Sequence, residues 1–135
     1  MCVAAYFTLG SREMRVFFSQ NNAQLPVAMS GGIQLIAWGR RIKQQGQLPI
    51  GGTAFRSAIL AGNWDRHSPK AVRLWIKSFC ETDVEGKQHW HEVTSGKWVK
   101  GLLATCRNEQ RVYIVTIEPV IADTPYERWP DIGSG

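Results

Sequence analysis

The chain has 135 residues, of which 44% are apolar and 20% charged, a composition that excludes an intrinsically disordered chain and fits a single domain spanning 1–135. Its 16 Lys and Arg against 11 Asp and Glu give a formal charge of +5, which makes nucleic acid a candidate partner. No apolar run reaches the roughly 18 residues of a membrane span, and the three cysteines lack CxxC spacing, so we expect a cytoplasmic protein with free thiols and no membrane partner.

The first third of the chain is predicted to consist of strands. Segments rich in Val, Tyr, Phe and Thr flank the turn-like Gly10-Ser11-Arg12, which indicates a hairpin. The segment 40–52 carries three glycines and a proline, so we expect an exposed and mobile loop there. The predicted strands in this part are 2–9, 13–19, 25–29 and 33–39.

A helix is predicted over 54–61, with Thr53 as its N-cap and Gly62 as its stop. A weaker alternative is that Gly51-Gly52 and the helix amides hold one phosphate. Residues 123–135 form a Pro- and Gly-rich tail. Further strands are predicted over 72–79, 88–93, 98–104 and 112–117. Because no βαβ alternation occurs, we expect an α+β fold, with a mostly antiparallel curved sheet or partly open β-barrel and one or two short helices.

Metal and hydrolase chemistry are disfavoured by the residue spacing. His67, His89 and His91 could form a metal site with Cys80 or Glu92, and the second and third histidines would project from one face of a strand. However, no HExxH or paired CxxC spacing supports a metal, and no GxSxG elbow supports a hydrolase. We therefore predict no metal and no cofactor.

Cys2 is the candidate nucleophile because of its position. Removal of Met1 would leave it with a thiol and an α-amine on adjacent carbons, and an α-amine with a pKa near 8 is partly neutral at physiological pH. Such an aminothiol forms an imine with an aldehyde and then closes a thiazolidine ring through sulfur. The alternative is that Cys2 is a small apolar residue at the start of a strand.

Several short stretches follow one another in an order found in one known family. They are Met1-Cys2, Trp38-Gly39, Thr53-Ala54-Phe55-Arg56-Ser57, Phe79-Cys80-Glu81, Lys87-Gln88-His89-Trp90, Gly101-Leu102, Val112 to Glu118, and Tyr126-Glu127-Arg128-Trp129-Pro130. In this order they resemble the SRAP family (SOS response-associated peptidase), whose members shield abasic sites in single-stranded DNA by linking covalently to them. The similarity extends over nearly the whole chain, although this chain is shorter than is usual for the family.

The resemblance implies catalytic roles for Cys2 and Glu81. The amine of Cys2 would attack the ring-opened aldehyde of the abasic deoxyribose, Glu81 would shuttle protons, and the thiol would close the ring. Two further catalytic positions differ, since the Asn of the family is Thr53 here and its catalytic His is Tyr126. A tyrosine, with an ordinary pKa near 10, is a poor acid and base at neutral pH, so we expect slow crosslinking.

The resemblance also implies a single-stranded DNA cleft and a role in the DNA damage (SOS) response. Basic residues beside this cleft would hold phosphates, and Trp38 would stack against a base. The predicted DNA-binding residues are Trp38, Arg40, Arg41, Lys43 and Arg56.

Two other functions remain open at the level of sequence. One is a catalytically impaired nucleic-acid-binding module on an SRAP-like scaffold, which the replacements at Thr53 and Tyr126 favour. The other is a protein-interaction domain of a mobile element or phage. Salt-dependent binding to oligonucleotides separates both nucleic-acid-binding functions from a protein-interaction domain. A covalent adduct separates abasic-site capture from the non-covalent binding module.

Overall fold

A computed structural model describes residues 2–119 and 125–134. Most of them lie in strands, and the single α-helix among them has five residues. The strands are β1 (Cys2–Leu9), β2 (Arg12–Phe17), β3 (Gln24–Met29), β4 (Gly32–Ala37), β5 (Thr53–Phe55), β6 (Lys70–Leu74), β7 (Ser78–Thr82), β8 (Gln88–Glu92), β9 (Lys97–Cys106), β10 (Glu109–Ile117), β11 (Trp129–Pro130) and β12 (Ile132–Ser134). The helix is α1 (Arg56–Leu60), and a 3-10 turn covers Asp65–His67.

The smaller of two sheets is antiparallel and has the strand order β2-β1-β7-β8. The predicted β1–β2 hairpin is confirmed, and Gly10 at its turn has a φ of 63°, a left-handed conformation that glycine adopts without steric cost. Side chains alternate along β1, so Ala5 and Phe7 lie on its inner face and are completely buried.

The larger sheet has eight strands in the order β11-β10-β9-β6-β3-β4, with β12 also paired to β9 and β5 paired to β10. Its strand pairs are antiparallel except that β5 runs parallel to β10. Neither sheet closes into a barrel. The prediction of a mostly antiparallel, sheet-rich fold with little helix is therefore confirmed, in the form of two open sheets.

Two hydrophobic cores lie on the two faces of the larger sheet. The first lies between the sheets and contains Phe79 from the smaller sheet and Leu74 from the larger one. The second lies on the opposite face of the larger sheet, where Tyr113 packs near Ile59 of α1. Strand β10 contributes Ile114 to the first core and Tyr113 to the second, which explains its nearly continuous apolar sequence.

The predicted strand 72–79 is two strands in different sheets. The backbone N–H of Trp75 donates to the carbonyl of Pro26 in the larger sheet, and that of Lys77 donates to the carbonyl of Tyr6 in the smaller one. The chain therefore changes sheets within two residues. Its side-chain pattern continues across this point, so the sequence did not indicate the break.

The predicted helix begins later than expected. Thr53–Phe55 pairs in parallel with Ile114–Thr116 of β10, so the backbone of these residues belongs to a sheet and α1 begins at Arg56. The prediction of Thr53 as the N-cap was wrong, because Phe55 is at that position and no side chain caps the helix. The predicted stop is confirmed, since Gly62 follows the C-cap with a φ of 85°.

Two segments predicted as a loop and a tail belong to the fold. Leu48 in the 40–52 loop is completely buried, and its backbone N–H donates to the Glu109 carboxylate, so the loop is fixed at this point, while Ile42 and Lys43 are exposed as predicted. In the predicted tail, β11 and β12 join the larger sheet, and Pro130 and Asp131 are buried. Residues 123, 124 and 135 of that tail lie outside the described residues.

Candidate functional site

The first residue of β1 lies directly opposite a carboxylate. The register of β1 and β7 pairs Cys2 with Glu81 and Ala4 with Cys80, and an irregularity between these two pairs marks a bulge. A bulge inserts a residue into one strand and changes the direction of the neighbouring side chains. The two residues that the SRAP resemblance carries over unchanged are thus cross-strand neighbours.

The Cys2 thiol is buried and protonated. Only 3% of Cys2 is exposed, and its thiol donates a weak hydrogen bond to the Ala4 carbonyl at 3.7 Å. Burial raises the pKa of this thiol well above its ordinary value, and the charge of Glu81 raises it further. In this conformation the sulfur is not a thiolate nucleophile, so chemistry at Cys2 has to begin at another atom or with a change of access.

Glu81 is a completely buried carboxyl group whose proton affinity suits neutral pH. Burial raises its pKa to about 6, and the positive charge of the chain's terminal amine opposes this rise. A carboxyl group with a pKa near the ambient pH can both accept and donate a proton during a reaction. A strand does not require a buried carboxyl group at this position, and burying a charge costs free energy.

Next to this pair, the C-terminal segment places an aromatic cluster on β7 and β8. The Nε2 atom of His91 and the hydroxyl of Tyr126 are 2.9 Å apart, and the ring of Trp129 lies 4.8 Å from the His91 ring and 5.1 Å from the Tyr126 ring. Phe79, two residues before Glu81, pairs with His91 across the strands. Tyr126, which the resemblance aligns with the family's catalytic histidine, therefore contacts a histidine of β8.

Burial sets the charge state of this hydrogen-bonded pair. It lowers the pKa of His91 and raises the pKa of Tyr126, and the charges of Asp83 and Glu81 raise the tyrosine pKa further. Both side chains are therefore neutral near pH 7. From the sequence, His91 was predicted only as a potential metal ligand. The two-residue spacing of His89 and His91 was the available signal, because it places both rings on the face that Tyr126 covers.

Thr53 lies on the face of the larger sheet that is turned toward Cys2. Its neighbour Ala54 belongs to the second core, so alternation along β5 directs Thr53 to the opposite face. Its parallel partner Ile114 belongs to the first core, which also contains Cys2. Thr53 is thus a strand residue on the face of the larger sheet that borders the first core.

Two of the predicted DNA contacts are buried. Trp38 is completely buried, and its indole N–H donates to the Gly52 carbonyl at 2.9 Å, so it cannot stack on a base. Arg41 is 8% exposed and donates to the carbonyls of Phe18 at 2.6 Å and Trp38 at 2.7 Å. These two predictions are corrected, because both side chains are used to fix the fold. Arg40 is half-buried and donates to the Leu48 carbonyl at 3.0 Å, and its DNA contact stays a prediction.

Lys43 and Arg56 are the predicted cations that remain on the surface. Lys43 is exposed on the 40–52 loop. The Arg56 side chain is 57% exposed at the start of α1, and one of its nitrogens lies 3.9 Å from the Asp131 carboxylate. Arg56 also lines two neighbouring cavities, which makes it the better placed of the two to bind a ligand.

The chain matches no protein-family model, no curated protein and no solved structure. No helix within residues 2–119 and 125–134 is long and apolar enough to cross a membrane. The function of the site must therefore be argued from its own geometry.

A metal centre has no support from the described residues. Nowhere in that part of the chain do three His, Cys, Asp or Glu side chains come together as ligands. His67 packs against Trp64, away from the other two histidines, and His89 lies 2.9 Å from the Asp83 carboxylate. Cys2, Cys80 and Cys106 all carry free thiols. What the site offers is an acid–base carboxyl group, a neutral imidazole–phenol pair and a thiol.

Proposed function

We propose that this protein captures abasic sites in single-stranded DNA through Cys2. The observation that supports this best is the pairing of Cys2 with Glu81, a buried carboxyl group whose pKa of about 6 suits proton transfer. The proposal requires Cys2 to become the N-terminal residue through removal of Met1. The cytoplasm is the expected compartment, since it keeps thiols reduced.

The reaction proceeds in two bond-forming steps. The Cys2 amine adds to the C1′ aldehyde of the ring-opened sugar, and loss of one water gives an imine. The sulfur then adds to the imine carbon while the thiol proton passes to nitrogen, which closes a thiazolidine. No oxidant or reductant is needed, and only one water leaves the combined molecules.

Glu81 is the acid and base for the first step in this proposal. As a carboxylate it accepts a proton from the α-ammonium group, which frees the neutral amine for attack, and as a carboxylic acid it donates a proton to the departing hydroxyl group. The pKa of about 6 belongs to the chain that retains Met1, and burial, the main cause of the raised value, does not come from Met1. A carboxyl group with such a pKa is present in both forms near neutral pH. The carbon–nitrogen step begins at the amine, so the raised pKa of the Cys2 thiol does not prevent it.

His91 and Tyr126 replace the family's single histidine in this proposal. The phenol alone is a poor proton carrier because its pKa is raised, whereas the neutral imidazole 2.9 Å away can accept a proton through it. Thr53 would orient the sugar with its hydroxyl group. This longer route fits slow crosslinking better than fast crosslinking.

The test is intact mass spectrometry after incubation of the protein, confirmed to have lost Met1, with a single-stranded oligonucleotide that holds one abasic site. We expect a denaturation-stable adduct with the summed mass minus one water. Cys2→Ala should abolish it, and Glu81→Gln should slow it at least tenfold. Cys80→Ala is the matched control, since it removes a neighbouring buried free thiol and should leave the adduct unchanged.

An absence of adduct from the processed protein, or an adduct that survives Cys2→Ala, would overturn the proposal. Loss of the adduct in Cys80→Ala with retention of the fold would also count against a reaction specific to Cys2. His91→Gln should slow the adduct and shift its pH profile, while His89→Gln should do neither.

The second candidate function is a non-covalent nucleic-acid-binding module. The observation that favours it is the Cys2 thiol, which is 3% exposed and has a raised pKa, as in a structural cysteine. Oligonucleotide binding without any adduct, equal in the native protein and in Cys2→Ala, would support this function over capture.

A further inference from the structure

Two neighbouring cavities on the larger sheet share the side chains of Arg56 and Leu60. The first has a volume of about 330 Å³ and lies beside Phe55 and Arg128. The second has a volume of about 370 Å³ and lies between α1 and the strands β6 and β9. We call the two together the Arg56 groove. It runs from the strand end that carries Phe55, two residues after Thr53, to the outer face of the larger sheet.

Cations line both cavities of this groove. Arg128 lies over the Phe55 ring at 3.7 Å in the first cavity. In the second cavity, Arg73 of β6 is paired with Lys100 of β9, so their side chains lie next to each other on one face. The Lys100 side chain is 46% exposed. Four cations from four separate parts of the chain thus line the groove, with Arg56 shared by both cavities. In the first cavity Arg128 lies 3.6 Å from the Glu118 carboxylate, so the surplus of positive charge belongs to the second cavity.

One buried carboxylate holds two of these cations in the groove. An Asp131 oxygen lies 3.9 Å from an Arg56 nitrogen and 3.5 Å from the Lys100 ammonium. Because a single negative charge faces Arg56, Lys100 and the neighbouring Arg73, the second cavity keeps a surplus of positive charge. A polyanion fits this surface better than a neutral ligand does.

The floor of the second cavity is apolar. Leu102 and Val115 form part of it, and the neighbouring Leu60 is 76% exposed. At one end the Arg73 guanidinium lies 4.0 Å above the Trp98 ring, and Trp75, which is 36% exposed, packs edge-on against Trp98. Cations beside apolar and aromatic surface are typical of sites for single strands, whose unpaired bases cover apolar surface while phosphates contact cations. A duplex hides its base faces and would leave this floor uncovered.

We propose that the Arg56 groove binds a single strand of nucleic acid, with phosphates on Arg56, Lys100 and Arg73 and unpaired bases over the apolar floor. This inference rests on the proposed function and extends it by assigning the path of the strand beyond the reacting nucleotide. From the reacting nucleotide, the nucleic-acid strand continues over the outer face of the larger sheet and does not follow the 40–52 loop.

The chain offers a matched control for this path. Lys70 lies on β6 three residues from Arg73, and Lys97 lies on β9 three residues from Lys100. An odd spacing places a strand residue on the opposite face, and neither lysine lines the groove. Both are exposed. The double variant Lys70→Ala/Lys97→Ala therefore removes the same charge from the same strands as Arg73→Ala/Lys100→Ala, but away from the groove.

The experiment measures fluorescence anisotropy of a labelled 20-nucleotide oligo-dT across a salt series, in a Cys2→Ala background that prevents covalent reaction. We expect Arg73→Ala/Lys100→Ala to weaken binding about tenfold and to lower the slope of log K against log salt by about 1.4, since each phosphate contact on a single strand contributes about 0.7. The control pair should change affinity less than about twofold.

Equal losses in the two double variants would overturn the proposal, because binding would then depend on overall charge. Unchanged binding by the groove variant, no binding by the parent protein, or equal affinity for a duplex of the same length would overturn it too. Failure of the groove is separable from failure of abasic-site capture. If the adduct forms but the groove variant binds normally, only the groove proposal is wrong. If the groove variant binds more weakly but no adduct forms, only the proposal of abasic-site capture is wrong.

Discussion

The 40–52 loop and the Arg56 groove both carry clustered cations, but the two regions use them in opposite ways. In the loop, Arg40 and Arg41 donate hydrogen bonds to backbone carbonyls of the protein itself. In the groove, Arg56 and Lys100 keep half of their side-chain surface exposed beside an apolar floor. The densest basic cluster in the sequence is therefore mainly structural, and a binding surface arises from cations that are far apart in the chain.

The difference follows from the chemistry of guanidinium groups near free carbonyls. An arginine has five N–H donors in a fixed arrangement, so one side chain in a loop can satisfy several carbonyls of the neighbouring backbone. Arg41 does this for Phe18 and Trp38. Burial and the charge of Arg111 lower the pKa of Arg41, which shows the electrostatic cost of this role.

The largest expected effect on stability comes from Gly39, the residue directly before the 40–52 loop. Gly39 has a φ of 56°, and a Cβ there would collide with the backbone of Gly51. We expect Gly39→Ala to cost about 3 kcal/mol or more of unfolding free energy, because backbone atoms cannot move aside as a flexible side chain can. Urea denaturation measures this. Gly86→Ala is the control, since Gly86 has a φ of 87° but open space around it, and should cost about 1 kcal/mol.

The next effect separates a buried structural cation of the loop from an exposed one. Arg41→Ala should cost about 2 to 3 kcal/mol of unfolding free energy, because it removes the donor to the buried carbonyl of Trp38 and to the partly buried carbonyl of Phe18. Lys43→Ala, two residues further on an exposed part of the loop, should change stability by less than about 0.5 kcal/mol. Both are read by urea denaturation. If Lys43→Ala weakened oligonucleotide binding as strongly as the groove variant, the contrast between the two regions would be wrong.

Glu81 extends the comparison to a buried negative charge. Its pKa rises from the ordinary 4.5 to about 6 on folding, so the folded state binds more protons and stability decreases as pH rises between these values. Glu81→Gln should therefore stabilise the protein by about 1 to 2 kcal/mol at pH 8 and have no such benefit below about pH 4.5. Denaturation curves at pH 4, 6 and 8 measure it. A stabilisation that does not depend on pH would contradict the assigned protonation.

The smallest expected effect is that of a groove cation on stability. Arg73→Ala should cost less than about 1 kcal/mol, because the exposed guanidinium only stacks on the Trp98 ring. The same urea titration reads it. A cost as large as that of Arg41→Ala would mean that the groove cations, like those of the loop, serve the fold first.

The sequence by itself determined much of the fold. Alternating and β-branched segments predicted most strands of the structure, and the turn at Gly10 and the helix stop at Gly62 are confirmed. Local signals suffice for these features, since a strand pattern and a left-handed glycine depend on a few adjacent residues. The same signals failed at Thr53, where pairing with Ile114 of a distant strand overrides the helix pattern.

Only the tertiary structure decided which side chains meet. It pairs Cys2 with Glu81, brings His91 to Tyr126, and collects Arg56, Arg73 and Lys100 around one groove. It also buries Trp38, which the sequence could not distinguish from an exposed ring. These contacts depend on sheet order and on the point at which the chain changes sheets. Neither is encoded in local periodicity, because the same alternation of side chains is compatible with many strand orders.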